Sequence, residues 1–271
     1  MTSIDTGARP NAPMDGMIGD LTALAREMAA TARTIVLRHY ATLPDFDDKA
    51  DSSPVTAADR EVEAALRTLI AAKFPEHGIY GEEFGAERTD ADFVWVLDPI
   101  DGTKSFISGR PLFGTLIGLL KDGLPYLGVL DMPILAETWV GVQGQGTTCN
   151  GQAVKTRACA DLARAWMHCT SPAMHQGLNF DRFDQLRRRC HHTLYGGDCY
   201  AYAVVAKGRA DLVCENSMEP YDYAALVPII EAAGGRMTDW TGKPLGLHND
   251  GSVLGAGDPA VHALALAVLA R

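Results

Sequence analysis

The stretch Phe93-Val94-Trp95-Val96-Leu97-Asp98-Pro99-Ile100-Asp101-Gly102-Thr103 runs from apolar residues directly into an acidic turn. The apolar part predicts a short buried strand, because a continuous apolar run bounded by turn residues is typical of one. Asp98 and Asp101 would then lie where the strand ends. Pro99 fixes the backbone between them, so that both carboxylates and the carbonyl of Ile100 can face one point.

Gly102 and Thr103 complete this turn. Glycine allows the backbone to approach a ligand closely, and threonine supplies a hydroxyl group. If a helical turn follows, its first backbone amides could hold a phosphate oxygen. Taken singly, Asp-Pro and Asp-Gly are ordinary turn dipeptides, so their function has to be judged together with the other acidic residues of the chain.

The composition is that of an acidic globular protein. The 271 residues are 47% hydrophobic, and 24 Lys and Arg stand against 34 Asp and Glu, giving a formal charge of −10. A chain of this length can bury a sizeable core. The charge argues against binding to nucleic acid or to an anionic membrane, since both need basic patches. An acidic protein that binds an anionic substrate needs another source of positive charge, and a metal ion would supply it.

The cysteines and the apolar runs predict a soluble cytoplasmic protein. None of the six cysteines forms a C-x-x-C pair, so buried reduced thiols are expected in place of a zinc ribbon or a redox dithiol. Residues 1–20 lack the positive start and apolar core of a signal peptide. The apolar stretches stop far short of the ~20 residues that a membrane span needs.

Hydrophobic periodicity predicts a layered α+β sandwich in two lobes. Residues 1–15 are expected to be disordered. Residues 16–155 are expected to form an N-terminal lobe with most of the candidate metal ligands, and 156–271 a C-terminal lobe with the last of them and the substrate-selecting residues. Helices are predicted at about 17–40, 56–74, 183–189, 200–207, 223–233 and 261–269. Strands are predicted at about 79–80, 93–97, 116–120, 126–130, 137–142, 165–169 and 211–214, and a loop at 44–54.

Four further acidic residues stand at the ends of predicted elements. Glu82 and Glu83 follow a predicted strand, Asp222 precedes a predicted helix, and Asp59 lies in the first turn of another helix. Carboxylates gathered in this way repel one another unless a cation bridges them. Hard oxygen ligands suit Mg²⁺, and no His or Cys spacing suggests zinc.

Each of these residues also has a purely structural interpretation. Thr56-Ala57-Ala58-Asp59 fits the capping-box pattern, so Asp59 could simply cap its helix. Asp222 could be an acidic residue favoured by the helix dipole, and Glu82-Glu83 could be a solvated corner. Their occurrence together in one chain favours the metal site.

Three strings in a fixed order resemble the inositol monophosphatase superfamily. They are Gly81-Glu82-Glu83, then the run from Trp95 to Thr103, then Pro220-Tyr221-Asp222 with an apolar helix that ends in Glu231-Ala232-Ala233-Gly234-Gly235. The resemblance covers roughly residues 17 to 260. It implies an αβαβα sandwich of the inositol monophosphatase and fructose-1,6-bisphosphatase type. It also implies hydrolysis of a small phosphorylated metabolite by a homodimer with two or three Mg²⁺ ions, replaceable by Mn²⁺ and open to inhibition by Li⁺.

The resemblance implies a role for each matching residue. Glu83 would support the metal ligands, and Asp59 with Thr103 would orient and deprotonate the attacking water. Lys49 would lie on a mobile loop that closes over the site. Tyr221 stands where the family often has tryptophan, which is a conservative aromatic change. The implied metal ligands are Glu82, Asp98, the carbonyl of Ile100, Asp101 and Asp222. The implied substrate contacts are Gly102, Thr103, Asp198, Glu215 and Asp222.

Asp198 and Glu215 are the residues expected to select the substrate. A carboxylate such as Asp198 favours a positively charged group on the part of the substrate away from the phosphate. As an alternative, Asp198 could be the N-cap of the helix predicted at 200–207. The string Gly196-Gly197-Asp198-Cys199-Tyr200-Ala201-Tyr202 resembles the histidinol-phosphate phosphatase branch more than the inositol branch.

The predicted reaction is therefore hydrolysis of L-histidinol phosphate, a late step of histidine biosynthesis. Inositol-1-phosphate is the alternative substrate, followed by fructose 1,6-bisphosphate or a nucleotide 3′-phosphate. A catalytically silent metal-binding relative is the non-enzymatic alternative, against which every implied ligand position is filled. Arg187-Arg188-Arg189 is interpreted as a basic helix face.

Overall fold

A computed structural model of the protein describes residues 12–42, 46–48 and 54–270. The helices are α1 (Ala12–Tyr40), α2 (Ala57–Lys73), α3 (Thr103–Ile107), α4 (Gly177–Arg187), α5 (Tyr200–Ala206), α6 (Pro220–Tyr223), α7 (Leu226–Ala232) and α8 (Pro259–Leu269). The strands are β1 (Phe46–Asp48), β2 (Pro54–Thr56), β3 (Gly78–Gly81), β4 (Gly85–Glu87), β5 (Phe93–Asp101), β6 (Gly114–Lys121), β7 (Leu124–Met132), β8 (Glu137–Val142), β9 (Gly146–Cys149), β10 (Gln152–Val154), β11 (Trp166–Cys169), β12 (His192–Tyr195), β13 (Leu212–Glu215), β14 (Arg236–Thr238) and β15 (Val253–Ala256). Single 3₁₀ turns occur at Leu162–Arg164 and Pro172–Met174.

Eight strands form the first sheet in the order β10-β9-β8-β7-β6-β5-β3-β4. Neighbours in this sheet are antiparallel except β3 and β5, which run parallel and pair Gly81 with Leu97. Since the carboxyl ends of parallel strands lie at the same edge of a sheet, the residues that follow Gly81 and Leu97 meet there.

A row of glycines crosses the first sheet where α6 and α7 pack against it. Gly118, Gly128 and Gly141 are paired neighbours on β6, β7 and β8. A Cβ atom on Gly128 would lie 1.8 Å from the carbonyl oxygen of Ala225, and one on Gly141 would lie 2.5 Å from the Cα of Ile229. At this glycine row the main chain of the helices therefore packs directly on the main chain of the strands.

The second sheet has the order β12-β11-β13-β15-β14, and the two sheets with their helices make five layers. Helices α1 and α2 cover the outer face of the first sheet, where Leu66 packs with Trp95. Helices α5 and α7 lie between the sheets, where Tyr202 and Ile229 pack with Trp139. Helices α4 and α8 cover the outer face of the second sheet. This is the αβαβα sandwich that the family resemblance implied.

The chain passes from the first sheet to the second between Val154 and Trp166. This connection lies next to the lobe boundary predicted at residue 155, and the division into two lobes stays a prediction. None of the helices in the described ranges has both the length and the hydrophobicity that a membrane span requires.

Three helices differ from the expected bounds. Helix α1 begins at Ala12, inside the segment for which disorder was predicted, while 1–11 lie outside the described residues. Helix α4 begins at Gly177 instead of 183, and its first turns carry exposed apolar residues that give no core-facing pattern. The helix predicted at 223–233 is α7, which begins three residues later at Leu226, and α6 precedes it as a separate short helix. Pro228 lacks an amide hydrogen and therefore fits in the first turn of α7.

Several short strands were not predicted. The structure adds β4, β9, β10, β12, β14 and β15, which are three or four residues long and too short for a clear alternation. The segment predicted as a loop at 44–54 contains β1, which pairs antiparallel with β2. Lys49, the predicted loop lysine, lies outside the described residues. Arg187 and Arg188 both pair with Asp184, which neutralises part of the predicted basic face.

Candidate active site

Three carboxylates from two parts of the chain meet at the edge of the first sheet. Asp98 and Asp101 come from β5 and Asp222 from α6, and one oxygen of each lies within 4.8 Å of the others. Residues three apart would face opposite sides of a regular strand. The register of β5 shifts between Asp98 and Asp101, and Pro99, whose carbonyl accepts from Thr115 Oγ1 at 2.8 Å, lies in this irregular segment. The shift lets both carboxylates point to the same place.

Burial and mutual repulsion make these carboxyl groups hard to ionise. Burial, followed by the charges of Glu82 and Asp101, holds the pKa of Asp98 well above its ordinary value. Burial, with the charge of Asp198 next, raises the pKa of Asp101 to about 7. The pKa of Asp222 is raised by burial and then by Asp101. A bound cation would instead lower these three pKa values, because it favours the ionised form of every carboxylate around it.

The donor set fits a hard divalent cation. All three clustered groups are carboxylates, and within the described residues they are the one group of three or more candidate metal ligands that converges in this way. Asp98 Oδ1 is buried and has no hydrogen-bond partner among the described atoms. A buried carboxylate oxygen without a donor is costly, and a metal ion would satisfy it. Oxygen ligands alone suit Mg²⁺.

Backbone amides hold two of the clustered carboxylates from the side. Asp101 Oδ2 accepts from the Cys199 amide at 2.7 Å, so the start of α5 orients it. Asp222 Oδ2 accepts from the Glu219 amide at 2.7 Å, within a capping box that starts α6. The structural interpretation of Asp222 as a helix-start acid is therefore correct, and the same residue also belongs to the cluster.

Glu82 lies beside the cluster. Its amide donates to the Leu97 carbonyl at 3.2 Å, which continues the parallel pairing of β3 and β5. Its charge is the first neighbouring charge that raises the pKa of Asp98, so its carboxylate faces that residue. Glu83 follows on the same turn, and both acids add to the pKa of Asp59. The structure thus brings the acids of the Gly81-Glu82-Glu83 string to the site.

Asp59 caps α2 as the sequence pattern allowed. Its Oδ2 accepts from the Thr56 amide at 2.8 Å and from Thr56 Oγ1 at 2.6 Å, and the residue is 1% exposed. Burial raises its pKa to about 6 against these two hydrogen bonds. Thr103 Oγ1 donates to the Ile100 carbonyl at 3.0 Å, so the predicted Asp59–Thr103 pair is not joined by a hydrogen bond in the described structure. Its catalytic role stays a prediction.

A cavity of about 200 Å³ opens beside Asp101 and Asp222. Its remaining wall is formed by Thr170, Met174, Asp198, Cys199, Tyr202, Glu215, Ser217, Met218 and Leu226. A larger open cavity of about 750 Å³ lies behind Ser217 and Met218 and contains none of the clustered carboxylates. Of these two cavities, the smaller one alone touches the cluster.

Asp198 lies two residues before the first residue of α5, and its main chain is in the left-handed region, at φ 44°. It does not cap the helix, because Cys199 is the N-cap and no side chain caps it, so that alternative is wrong. Asp198 Oδ2 instead accepts from Ser105 Oγ at 2.9 Å. A Cβ on Gly102 would lie 3.3 Å from the Asp198 side chain, so Asp198 sits directly against the acidic turn. Burial raises its pKa, and the Ser105 bond opposes this.

Glu215 is held by three hydrogen bonds at the wall of the small cavity. It is 2% exposed and accepts from the Thr170 amide at 2.9 Å, from Thr170 Oγ1 at 2.6 Å and from Tyr202 Oη at 2.7 Å. Because its carboxylate accepts three hydrogen bonds, the Glu215 side chain is fixed in the cavity wall and has little freedom to turn toward a ligand.

Several residues of the site were not found from the sequence. Ser105, Thr170 and Tyr202 orient the two acids of the cavity wall, and the Cys199 amide orients Asp101. These contacts join residues far apart in the chain, so no local pattern predicts them. Glu63 did carry a signal, since it follows Asp59 by four residues on the same face of α2.

Known proteins match this chain over nearly its whole length. The model of the inositol monophosphatase family matches residues 18–271. The chloroplastic bifunctional phosphatase IMPL2 of Arabidopsis thaliana is 43% identical over 266 residues, which are 95% of this chain and 77% of that protein. The histidinol-phosphatase of Chlorobaculum parvum is 37% identical over 239 residues, which are 85% of this chain and 90% of that protein.

A solved structure agrees with these matches. The inositol monophosphatase of Zymomonas mobilis has 44% sequence identity and a TM-score of 0.86, covering 93% of this chain and 98% of that one. The five layers and the cluster of carboxylates at the end of β5 are in keeping with the same assignment. The chain belongs to the inositol monophosphatase family.

Proposed function

We propose that this chain is a Mg²⁺-dependent phosphate monoesterase whose principal substrate is L-histidinol phosphate. The observation that carries the phosphatase assignment is the convergence of Asp98, Asp101 and Asp222 around a buried oxygen that has no hydrogen-bond donor. Such a site is built for cations, and cations are what an acidic protein needs to bind a phosphate dianion.

The residues that would hold Mg²⁺ are the three clustered aspartates, Glu82 and the Ile100 carbonyl. Bound Mg²⁺ would offset the charge of the phosphate and lower the pKa of a coordinated water. Two or three ions are proposed, with Mn²⁺ as a substitute and Li⁺ as an inhibitor. Glu83 would add negative charge to the same region and so favour the cations.

The chain itself would position the ester and accept a proton. Gly102 starts α3 without a side-chain cap, so the first amides of that helix are open to a phosphate oxygen. Asp59 would accept the proton of the attacking water at its carboxylate, directly or through Thr103. Its pKa of about 6 suits this role, because a base works best when its pKa lies near the working pH.

The choice of substrate rests on the cavity wall. Asp198 places a partly buried carboxylate next to the acidic turn, and Glu215 lines the same cavity. Histidinol carries an ammonium group and an imidazole, which such a wall would attract. A relative named histidinol-phosphatase at 37% identity supports this choice. The inositol monophosphatase of Zymomonas mobilis, 44% identical, makes inositol-1-phosphate the second candidate.

Phosphate release from purified protein tests the assignment. We expect turnover of L-histidinol phosphate with Mg²⁺, loss of turnover on adding EDTA, and slower turnover of inositol-1-phosphate. An inactive protein, or activity that persists in EDTA, would show that the metal-dependent phosphatase is wrong. Faster turnover of inositol-1-phosphate would reverse the order of the two substrates.

The substitution Asp198→Asn tests charge selection. Asparagine keeps an acceptor for Ser105 but removes the negative charge, so kcat/KM for histidinol phosphate should fall about tenfold, or about 1.4 kcal/mol. The value for uncharged inositol-1-phosphate should change much less. Steady-state kinetics with both substrates measure this, and an equal loss for both would rule out selection by charge.

We further propose that the enzyme is a cytoplasmic homodimer. Exposed apolar side chains gather at one edge of the second sheet, on the edge strand β12 and its neighbour β11, where Trp166, Leu194 and Tyr195 are each more than one third exposed. Such a surface is typical of an interface between chains. Light scattering on the purified protein measures its mass directly.

A further inference from the structure

Glu63 is a fully buried carboxylate that has no role in the proposed reaction. It lies on α2, one turn after Asp59, and is 0% exposed. Its Oε2 accepts from the Glu83 amide at 2.7 Å, and its Oε1 accepts from the Phe84 amide at 3.2 Å. Both donors belong to the turn that follows β3 and carries Glu82. A side chain from a helix thus satisfies two successive amides of the turn.

The turn is fixed on its other side by the sheet. The Glu82 amide donates to the Leu97 carbonyl of β5 at 3.2 Å. Three successive amides, those of Glu82, Glu83 and Phe84, are therefore bound to two different elements. This pattern leaves the main chain of Glu82 little freedom to move relative to Asp98, which follows Leu97 directly.

Gly81 shows how closely the carboxylate is fitted to this turn. A Cβ atom at Gly81 would lie 2.0 Å from Glu63 Oε1 and 2.9 Å from Arg67 Nη2. The glycine of the Gly81-Glu82-Glu83 string is thus needed because the Glu63 carboxylate occupies the space of a side chain.

Arg67 completes the arrangement and balances its charge. It lies one turn further along α2, donates to Glu63 Oε1 at 2.8 Å, and is only 13% exposed. Its guanidinium also binds the Gly85 carbonyl and Glu87, at the far side of the same turn. Glu63 and Arg67 of α2 therefore bind both sides of the turn that carries Glu82.

We propose that Glu63 is a positioning residue that sets the affinity of the site for Mg²⁺ by fixing the main chain of Glu82. This inference rests on the proposed function, since Glu82 is a proposed metal ligand. Groups that orient a metal ligand typically change metal affinity by about 10- to 100-fold when removed. Because Glu63 acts through main-chain amides, its effect falls on the metal and leaves substrate binding unchanged at saturating Mg²⁺.

Glu63→Gln tests the proposal, with Asp211→Asn as the matched control. The glutamine has a single acceptor oxygen and cannot serve both amides. Asp211 is likewise buried, pairs with Arg157, and accepts from the Trp166 amide at 2.8 Å, but it lies directly before β13 and outside the proposed site. Both variants should lose thermal stability, so stability alone does not distinguish them.

Calorimetric titration with Mg²⁺, in the absence of substrate, gives the deciding measurement. We expect the Kd of Glu63→Gln for Mg²⁺ to rise about tenfold or more, and that of Asp211→Asn to equal wild type. In activity assays the Mg²⁺ requirement of Glu63→Gln should rise in parallel, while KM at saturating Mg²⁺ stays unchanged. Wild-type affinity in Glu63→Gln would overturn the proposal.

Two further outcomes are separable. If the wild type itself binds no Mg²⁺, the proposed function fails, whatever Glu63 does. If Glu63→Gln does not fold, Glu63→Asp keeps the charge opposite Arg67 but is one methylene too short to reach both amides. It should show the same weakened binding of Mg²⁺, and wild-type affinity in that variant would equally overturn the proposal.

Discussion

Asp98 combines three features that rarely occur in one side chain. It is 2% exposed, it neighbours two other carboxylates within 4.8 Å, and one of its oxygens has no donor among the described atoms. Such a group can be neutralised by a proton or by a cation. The raised pKa of Asp98 favours a bound proton, and the convergence of the neighbouring carboxylates favours a bound cation. Protons and Mg²⁺ should therefore compete for this site.

The substitution Asp101→Asn should reduce kcat by at least ~100-fold, a cost of about 3 kcal/mol or more. The amide keeps the acceptor for the Cys199 amide but loses the charge that a cation needs. Steady-state assays at saturating Mg²⁺ measure this. Asp184→Asn, which removes a carboxylate that pairs with Arg187 and Arg188 at the surface, serves as the control and should keep wild-type turnover. Near-normal turnover of Asp101→Asn would contradict the metal assignment.

At the scale of single residues, the sequence could predict which groups carry chemistry but not how they are held. Asp98, Asp101 and Asp222 stand in recognisable strings, and Asp59 in a capping box. Their partners do not, since the amide that orients Asp101 comes from Cys199, 98 residues away. A contact of this kind depends on how the layers stack, which no local pattern contains.

The elements that build the site are β5, with its shift of register, and α6 with α7. The long apolar strands were predicted because a continuous apolar run marks a strand buried on both faces. The register shift of β5 was anticipated only as the effect of Pro99. The break between α6 and α7 was missed, because the apolar pattern runs straight through it.

The substitution Gly128→Ala tests the packing of these helices. The new methyl group would lie 1.8 Å from the Ala225 carbonyl oxygen, and neither main chain can move aside without displacing its neighbours. We expect the free energy of unfolding to fall by about 3 kcal/mol, at the upper end of overpacking costs, or the protein to misfold. Urea denaturation measures this.

Gly19→Ala is the control for Gly128→Ala. Gly19 lies in α1, and a Cβ there would meet nothing within 4 Å. Alanine is the better helix former, so this variant should be more stable by up to about 1 kcal/mol. Equal effects of the two substitutions would show that the glycine row is not a close contact.

The stability of the whole molecule should depend on pH more strongly without metal than with it. The pKa of Asp59 is raised from 3.8 to about 6 and that of Asp101 from 3.8 to about 7. Each group binds its proton more tightly in the folded state. This stabilisation is complete below the unfolded pKa and is lost as the pH rises through the folded pKa.

The Tm of the protein in EDTA should therefore fall between about pH 4 and pH 7, by the linkage of these protons to folding. Excess Mg²⁺ should remove most of the fall, because a cation replaces the protons that are lost. Asp101→Asn should have a flatter profile in EDTA. Differential scanning calorimetry across this range measures all three, and a Tm in EDTA that does not fall would show that the cluster is ionised without metal.

The glycine row has a mechanical consequence for the enzyme. Side chains at an ordinary interface change rotamer and absorb strain, whereas main-chain atoms already in contact have almost no compliance. Helices α6 and α7 therefore pack rigidly against the first sheet, and Asp222 lies in α6. We expect this close packing to hold the spacing between Asp222 and the β5 aspartates. That spacing should stay nearly constant under heating or hydrostatic pressure that loosens the rest of the core.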